Sequence, residues 1–272
     1  MTTYAYPEKA KDPTTIRYAL AQKTNVMKAV MLRDMRTRFF NHGLGFLVVS
    51  LWPLGHMFVL LLIYTMMGRK SPFGDSLNVF FLTGLIPTLT FMYVSRFMSY
   101  SIILNKPMLA FPAVTMIDIV FARAFLEIIA ACLTAFFAFS LLALMGENPY
   151  PFDIVEAAYA FLATLLLAVG IGSLCGVISM FFEFFVTLYA LFLIIIYISS
   201  GTLFVAASMP SQLAEALAYN PVFQCVEWMR SAYFESYSRH YVDKGYLLSW
   251  GAGSLCLGLL LERLLRRRML EG

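Results

Sequence analysis

SYSIILNKPMLAFPAVT, residues 99 to 115, is the stretch on which the reading of this chain turns. Two long apolar segments precede it and four apolar stretches follow. It is too polar to cross a bilayer, because it holds Asn105, Lys106, Pro107 and Pro112. It is also too apolar for a free linker, with Ile102, Ile103, Leu104, Met108, Leu109 and Phe111 recurring through it. A short amphipathic helix broken by prolines and pressed against another protein has this composition. The segment is expected to be a surface where a partner pushes on a membrane domain.

The surrounding composition agrees with a membrane setting. Hydrophobic residues make up 60% of the chain and charged residues only 13%, where soluble domains carry about 25% charge. The mean hydropathy is +0.75, and 25 phenylalanines with 16 glycines suit helices packed in lipid. Four cysteines (132, 175, 225 and 256) show no metal spacing and no disulfide framework. No signal peptide is expected from the polar amino terminus.

On the amino-terminal side, residues 1–25 read as a loose cytoplasmic tail. Residues 26–42 read as a basic amphipathic helix lying on an anionic leaflet. There Val26, Met27, Val30, Met31, Met35 and Phe39 recur at helical spacing, and Arg33, Arg36 and Arg38 take other positions. Span one follows over 44–67 and span two over 77–98, each long enough for ~30 Å of hydrocarbon. On the carboxy-terminal side come span three (116–145), span four (about 154–180), span five (to about Ser208) and span six (246–261). Residues 209–245 hold two moderately apolar helical stretches, neither able to span. They are expected to dip into the interface with Trp228, Tyr233, Phe234 and Tyr237 at headgroup level. Residues 266–272 form a basic end.

Basic residues set the expected orientation. Eight precede span one, four follow Glu262, and Arg96, Lys106 and Arg123 sit in or beside the 99–127 region; Arg69, Lys70, Arg230, Arg239 and Lys244 remain for the other side. Both termini are therefore expected in the cytoplasm. The fold expected is an all-α, multi-pass membrane protein of six transmembrane helices. Residues 26–265 form the membrane domain. It would carry an amino-terminal interface helix, a cytoplasmic contact helix at 99–115 and an external re-entrant hairpin at 209–245.

Missing motifs narrow the function. There is no GxxxxGK phosphate loop, no HExxH and no GxSxG. If energy is used, another subunit supplies it. No metal site, catalytic residue or nucleic-acid contact is indicated. Gly172 and Gly176 form a GxxxG expected to admit a neighbouring helix closely.

Several stretches together resemble the membrane permease subunit of ABC-2 exporters, in its capsular polysaccharide branch. They are RDMRTRFF (33–40), Trp52-Pro53-Leu54, MGRKSPFGDSLNVFFLTGLIP (67–87), NKPMLAFPAVTMIDIVFARAFLE (105–127), SSGTLFVAASMP (199–210) and NPVFQCVEWMRSAYF (220–234). They stand in the family order and cover about residues 26–265. One departure is Trp52, which stands where members often carry a carboxylate before the proline of span one. The resemblance implies a homodimer joined to two ATP-binding cassette ATPase subunits, with the polymer path between the two copies. ATP and Mg would be bound by those ATPases and no cofactor by this chain. It also implies that residues 102–111 are the coupling helix, with Asn105, Lys106, Met108 and Leu109 moved by the ATPase, and that 209–235 are the external hairpin. A periplasmic co-polymerase or export protein is a further expected partner.

Under that resemblance the substrate is a lipid-linked acidic polysaccharide, with O-antigen or teichoic acid as alternative polymers. Arg96, at the inner end of span two, is the expected contact for an anionic substrate. Aromatic rings with polar edges suit the apolar faces of sugars, which points to Trp52, His56 and Tyr64 in span one and to Tyr189, Phe192 and Tyr197 in span five. Ser200, in the SSG of span five, adds a bend or gate. Arg123 and Glu127 lie four apart on one helical face; they read either as a pair orienting span three or as a polar entrance. A membrane enzyme acting on lipid-linked sugars is the competing reading. It would rest on Glu215, Glu227, Glu235 and Asp243, whose spacing fixes no metal.

Overall fold

The computed structural model describes residues 16–38 and 45–271, and its regular elements there are all helical. They are α1 (Ile16–Arg38), α2 (Gly45–Met66), α3 (Leu77–Ser99), α4 (Ser101–Leu104), α5 (Met116–Leu144), α6 (Ile154–Ser179), α7 (Phe185–Ile198), α8 (Ser211–Ala218), α9 (Pro221–Tyr233) and α10 (Lys244–Glu271), with 3₁₀ turns at Lys106–Ala110 and Ala206–Ser208.

Local chemistry fixes several helix starts. The Ser76 side chain accepts from the Val79 amide and opens α3. Thr115 and Asp118 form a reciprocal capping box at α5. Asp153 caps α6 through the Val155 and Glu156 amides, at 3.0 Å each. Asn220 caps α9, with Pro221 at its first position.

The protein is built around α3. Its residues from Val79 to Phe91 are all buried, covered by α6, α9, α5, α2 and α7. Glycine makes the closest approaches possible. A Cβ at Gly172 would lie 2.5 Å from the Met98 Cβ and 2.8 Å from the Ser95 carbonyl, and one at Gly176 would meet the Met98 carbonyl at 3.1 Å. The GxxxG is thus the seat of α3 on α6. On the other side of α6, a Cβ at Gly170 would come within 2.4 Å of the Gly251 carbonyl, which ties down α10.

Four helices are long and apolar enough to cross a membrane: Leu77–Ser99, Met116–Leu144, Ile154–Phe181 and Lys244–Arg266. The apolar stretches Ser50–Met66 in α2 and Phe185–Ile198 in α7 are shorter. The apolar run expected to continue to Ser208 is divided. α7 stops at Ile198, and Gly201 turns the chain with φ +77°. At about 1.5 Å per residue the 14 residues of α7 reach only ~21 Å.

Two further boundaries differ from expectation. α1 begins at Ile16, ten residues before the expected interface helix. Residues 1–15 and 39–42, part of the expected tail and interface helix, lie outside the described residues, as does Gly272. In the 209–245 region two helices form, and Trp228, Tyr233 and Tyr237 are buried within the protein. α9 is enclosed by α3, α6 and α10. The polar tip of Trp228 reaches Glu156 at 2.6 Å and that of Tyr237 reaches Glu227 at 2.7 Å. Phe234 is half-buried, edge-on to Phe73 at 5.4 Å.

Candidate functional site

α3, 23 residues and about 35 Å long, separates two functional ends. The 99–115 segment follows its last residue, and α9 packs beside its first turns.

At the first end, 99–115 is one turn of helix, a 3₁₀ turn and a tight turn over 111–114 that leads into the α5 cap. Asn105 stands at the junction and is buried. Its amide donates to the Ser101 carbonyl at 2.9 Å, and its Oδ1 accepts from Arg33 Nη1 at 3.1 Å. Met108 and Leu109 are half-buried, packed with Met27, Met31 and Val114 around Val30, Ile119 and Ala122. The outward face belongs to other residues: Leu104 is 57% exposed, Phe111 is 61% exposed, and Lys106 and Pro107 are exposed beside them. The sequence pattern held all four of Leu104, Met108, Leu109 and Phe111, and of these only Met108 and Leu109 were assigned to ATPase coupling; Leu104 and Phe111 are the exposed ones. Apolar periodicity in so short a segment does not say which side the neighbouring helix covers.

Above this segment, Arg123 is buried. Its Nη1 meets Asp34 at 3.0 Å and its Nε meets Glu127 at 3.0 Å, while its guanidinium lies 5.5 Å from the Phe97 ring centroid. The i,i+4 pair is therefore part of a triad joining α1 to α5. Asp34 carried no signal in the sequence beyond its place among basic residues. Lys23, also on α1, reaches Asp118 at 2.7 Å. Arg36 is exposed, and the Arg38 side chain lies outside the described set.

Along the middle, the expected path residues divide into three groups. Trp52 is 68% exposed on α2, and Tyr93 of α3 sits beside Trp52 and Arg96. The His56 and Tyr197 rings lie 5.8 Å apart, and Tyr197 is close to both Tyr64 and Tyr93. Tyr64 packs 4.6 Å from Phe81 and lies 5.0 Å from the Arg69 guanidinium. Arg96, Trp52, Tyr93, His56, Tyr197 and Tyr64 thus form one aromatic wall shared by α2, α3 and α7, with an arginine at either end. Tyr93 was missing from the sequence reading. Tyr189 and Ser200 are buried and stand outside this wall. The Tyr189 hydroxyl donates to Ser95 Oγ at 2.7 Å, and Ser200 bonds Thr202 and the Tyr197 carbonyl at 2.7 Å each. Phe192 is exposed on another side of α7, in an apolar groove with Ile195 and Trp250.

At the second end, Arg230 is fully buried and organises the turn after α7. It donates to the carbonyls of Gly201 (2.8 Å), Thr202 (2.8 Å) and Phe204 (2.6 Å), and it lies 4.1 Å from the Phe80 ring centroid. Glu227, one turn back, is 4.0 Å from it and accepts the Tyr237 hydroxyl. Burial pushes the Glu227 carboxyl above its ordinary range, opposed by that hydroxyl and by Arg230. Sequence reasoning counted Arg230 only as an external charge. Its i,i+3 spacing from Glu227 in an apolar helix was the available signal. Of the four external carboxylates weighed for an enzyme, Glu227 is spent in this cluster and Asp243 accepts the Tyr246 amide at 2.8 Å. Among the described residues no three His, Cys, Asp or Glu side chains gather as a metal site.

No protein-family profile matches the chain. Individual proteins do. It is 29% identical over 249 residues to the polysialic acid transport protein KpsM of Escherichia coli, covering 92% of this chain and 96% of that one. It is 26% identical to the capsule polysaccharide export inner-membrane protein CtrC of Neisseria meningitidis serogroup A, over 90% and 93% of the two chains. The chain is thus similar, over nearly its whole length, to inner-membrane proteins of capsule polysaccharide export. BexB of Haemophilus influenzae, 25% identical over 93% of this chain and 95% of its own, is another. These likenesses run nearly end to end, so the matched stretch passes over the positions of the 99–115 segment, the aromatic wall and Arg230.

Proposed function

We propose that this chain is the permease subunit of an ATP-driven exporter that moves a lipid-linked acidic capsular polysaccharide across the bacterial inner membrane. The near full-length homology to capsule export proteins carries this reading. The six apolar helices α2, α3, α5, α6, α7 and α10 would be the spans, with α8 and α9 as a re-entrant pair on the outer side. Both termini and the 99–115 segment would then face the cytoplasm.

The chain has no phosphate loop of its own, so ATP and Mg are assigned to two separate ATP-binding cassette subunits. Leu104, Lys106, Pro107 and Phe111 offer these an exposed, mixed apolar and basic surface. A second copy of the chain would complete the polymer path, with the aromatic wall of α2, α3 and α7 facing it. Aromatic rings bind sugar faces without fixing register, which suits a polymer that must slide. Arg96, exposed at the entry end of that wall, would meet the acidic polymer first. In this reading Arg123 and Glu127 orient helices, because their charges are satisfied inside the protomer. A periplasmic co-polymerase would dock on the outer end.

The test is reconstitution of the chain with its ATPase in vesicles loaded with lipid-linked polymer. ATP-dependent protection or release of polymer is expected. Polymer movement without the ATPase, or enzymatic turnover of the lipid-linked sugar by the chain alone, contradicts the proposal.

A further inference from the structure

α1 reads in the sequence as a basic helix resting on lipid, yet its inward side is wired to the contact segment. Arg33 donates to Asn105 at the bend between α4 and the 3₁₀ turn. Asp34, its neighbour in sequence, holds Arg123 of α5. Ten residues earlier, Lys23 reaches Asp118 and the Thr115 hydroxyl at the α5 cap. Between these polar ties lies a small apolar core of Val30, Ile119 and Ala122 with Met27, Met31, Met108, Leu109 and Val114, joined to the main core around α3 through Leu109. Asn105 makes the junction specific. Its amide closes the α4 turn on the Ser101 carbonyl, and its own carbonyl accepts the Met108 amide at 2.8 Å, which starts the 3₁₀ turn. The buried side-chain oxygen of Asn105 needs a donor inside the fold, and Arg33 supplies one.

We infer that Arg33 is a positioning residue for energy coupling: through Asn105 it fixes the bend of the 99–115 segment, so that α1, this segment and the foot of α5 move as one body when the partner ATPase pushes. The inference rests on the exporter reading above. It makes α1 a lever arm instead of a lipid float, and it separates Arg33 from the exposed Lys28 on the same helix.

The experiment uses the full chain reconstituted with its ATPase and compares Arg33→Ala, Arg33→Gln, Asn105→Ala, the double variant Arg33→Ala/Asn105→Ala, and Lys28→Ala. The readouts are co-purification of the ATPase, ATP hydrolysis, and polymer exported per ATP hydrolysed. Arg33→Ala is expected to keep the ATPase bound and hydrolysing while polymer per ATP falls about fivefold or more. Asn105→Ala should show a similar fall, and the double variant should be no worse than either single one. Arg33→Gln keeps an amide donor without the charge and should recover at least half of the ratio. That variant also carries the test if Arg33→Ala fails to assemble. Lys28→Ala should match the unmodified chain. Unchanged polymer per ATP in Arg33→Ala, an additive double variant, or an equal loss in Lys28→Ala overturns the inference. Absence of ATP-dependent export by the unmodified complex would instead defeat the exporter reading itself.

Discussion

Buried arginines carry most of the specificity at the residue scale. Arg230 satisfies three carbonyls of the turn after α7 and lies over Phe80. Removing one partner of a buried charged cluster costs about 3–5 kcal/mol. Arg230→Ala should therefore lower the unfolding midpoint in detergent sharply. Arg230→Lys should not restore it, because an ammonium cannot reach three carbonyls in a planar fork. Tyr189→Phe should cost only about 1 kcal/mol and leave export unchanged, since its hydroxyl serves Ser95 inside the protomer. Arg96→Ala, at an exposed site, should do the reverse: normal assembly with reduced polymer at the cell surface. Sequence could find Arg123 with Glu127, because spacing puts both on one face. It could not find Asp34 beside Arg123, or Tyr93 beside Trp52, because those proximities arise only when α1 docks on α5 and α2 on α3.

Whole helices were the easier part to read. Spans two, three, four and six appear where long apolar runs placed them, and the GxxxG of α6 is where α3 comes closest. Gly172→Ala should destabilise by about 1–3 kcal/mol, the usual cost of overpacking, because the new Cβ would meet Met98 at 2.5 Å. Gly253→Ala, with nothing within 4 Å of the added Cβ, should be neutral or slightly stabilising; matched thermal unfolding curves check both. The end of α7 was only half legible: SSGT (199–202) marked a bend, but LFVAA (203–207) restores apolar character after it and reads as a continued span. The helix ends where Gly201 turns the chain, and Arg230 takes up the carbonyls that the turn leaves buried. The contact segment was recognised by composition, but its facing was not. Met108→Asp should now act first on stability, through the small core under α1, whereas Leu104→Asp should leave stability intact and weaken ATPase binding. Co-purification and unfolding midpoints, measured together, separate the two.

For the molecule as a whole, the account is a division of labour between two ends of α3. One end is wired to α1 and offers an exposed surface; the other is closed by α9 around Arg230. A wall of rings on α2, α3 and α7 runs between them. In the proposed exporter, motion of 99–115 would pass to α3, which is seated closely on α6 at Gly172 and Gly176. The central claim is that the driving subunit docks at the end bearing Leu104 and Phe111. The most direct measurement is photo-crosslinking in intact cells from an unnatural amino acid placed at Phe111, with the adducts identified by mass spectrometry. An adduct with an ATP-hydrolysing subunit, strengthened or weakened by trapping nucleotide, is predicted; adducts only with lipid, or with no nucleotide-binding protein, would contradict it.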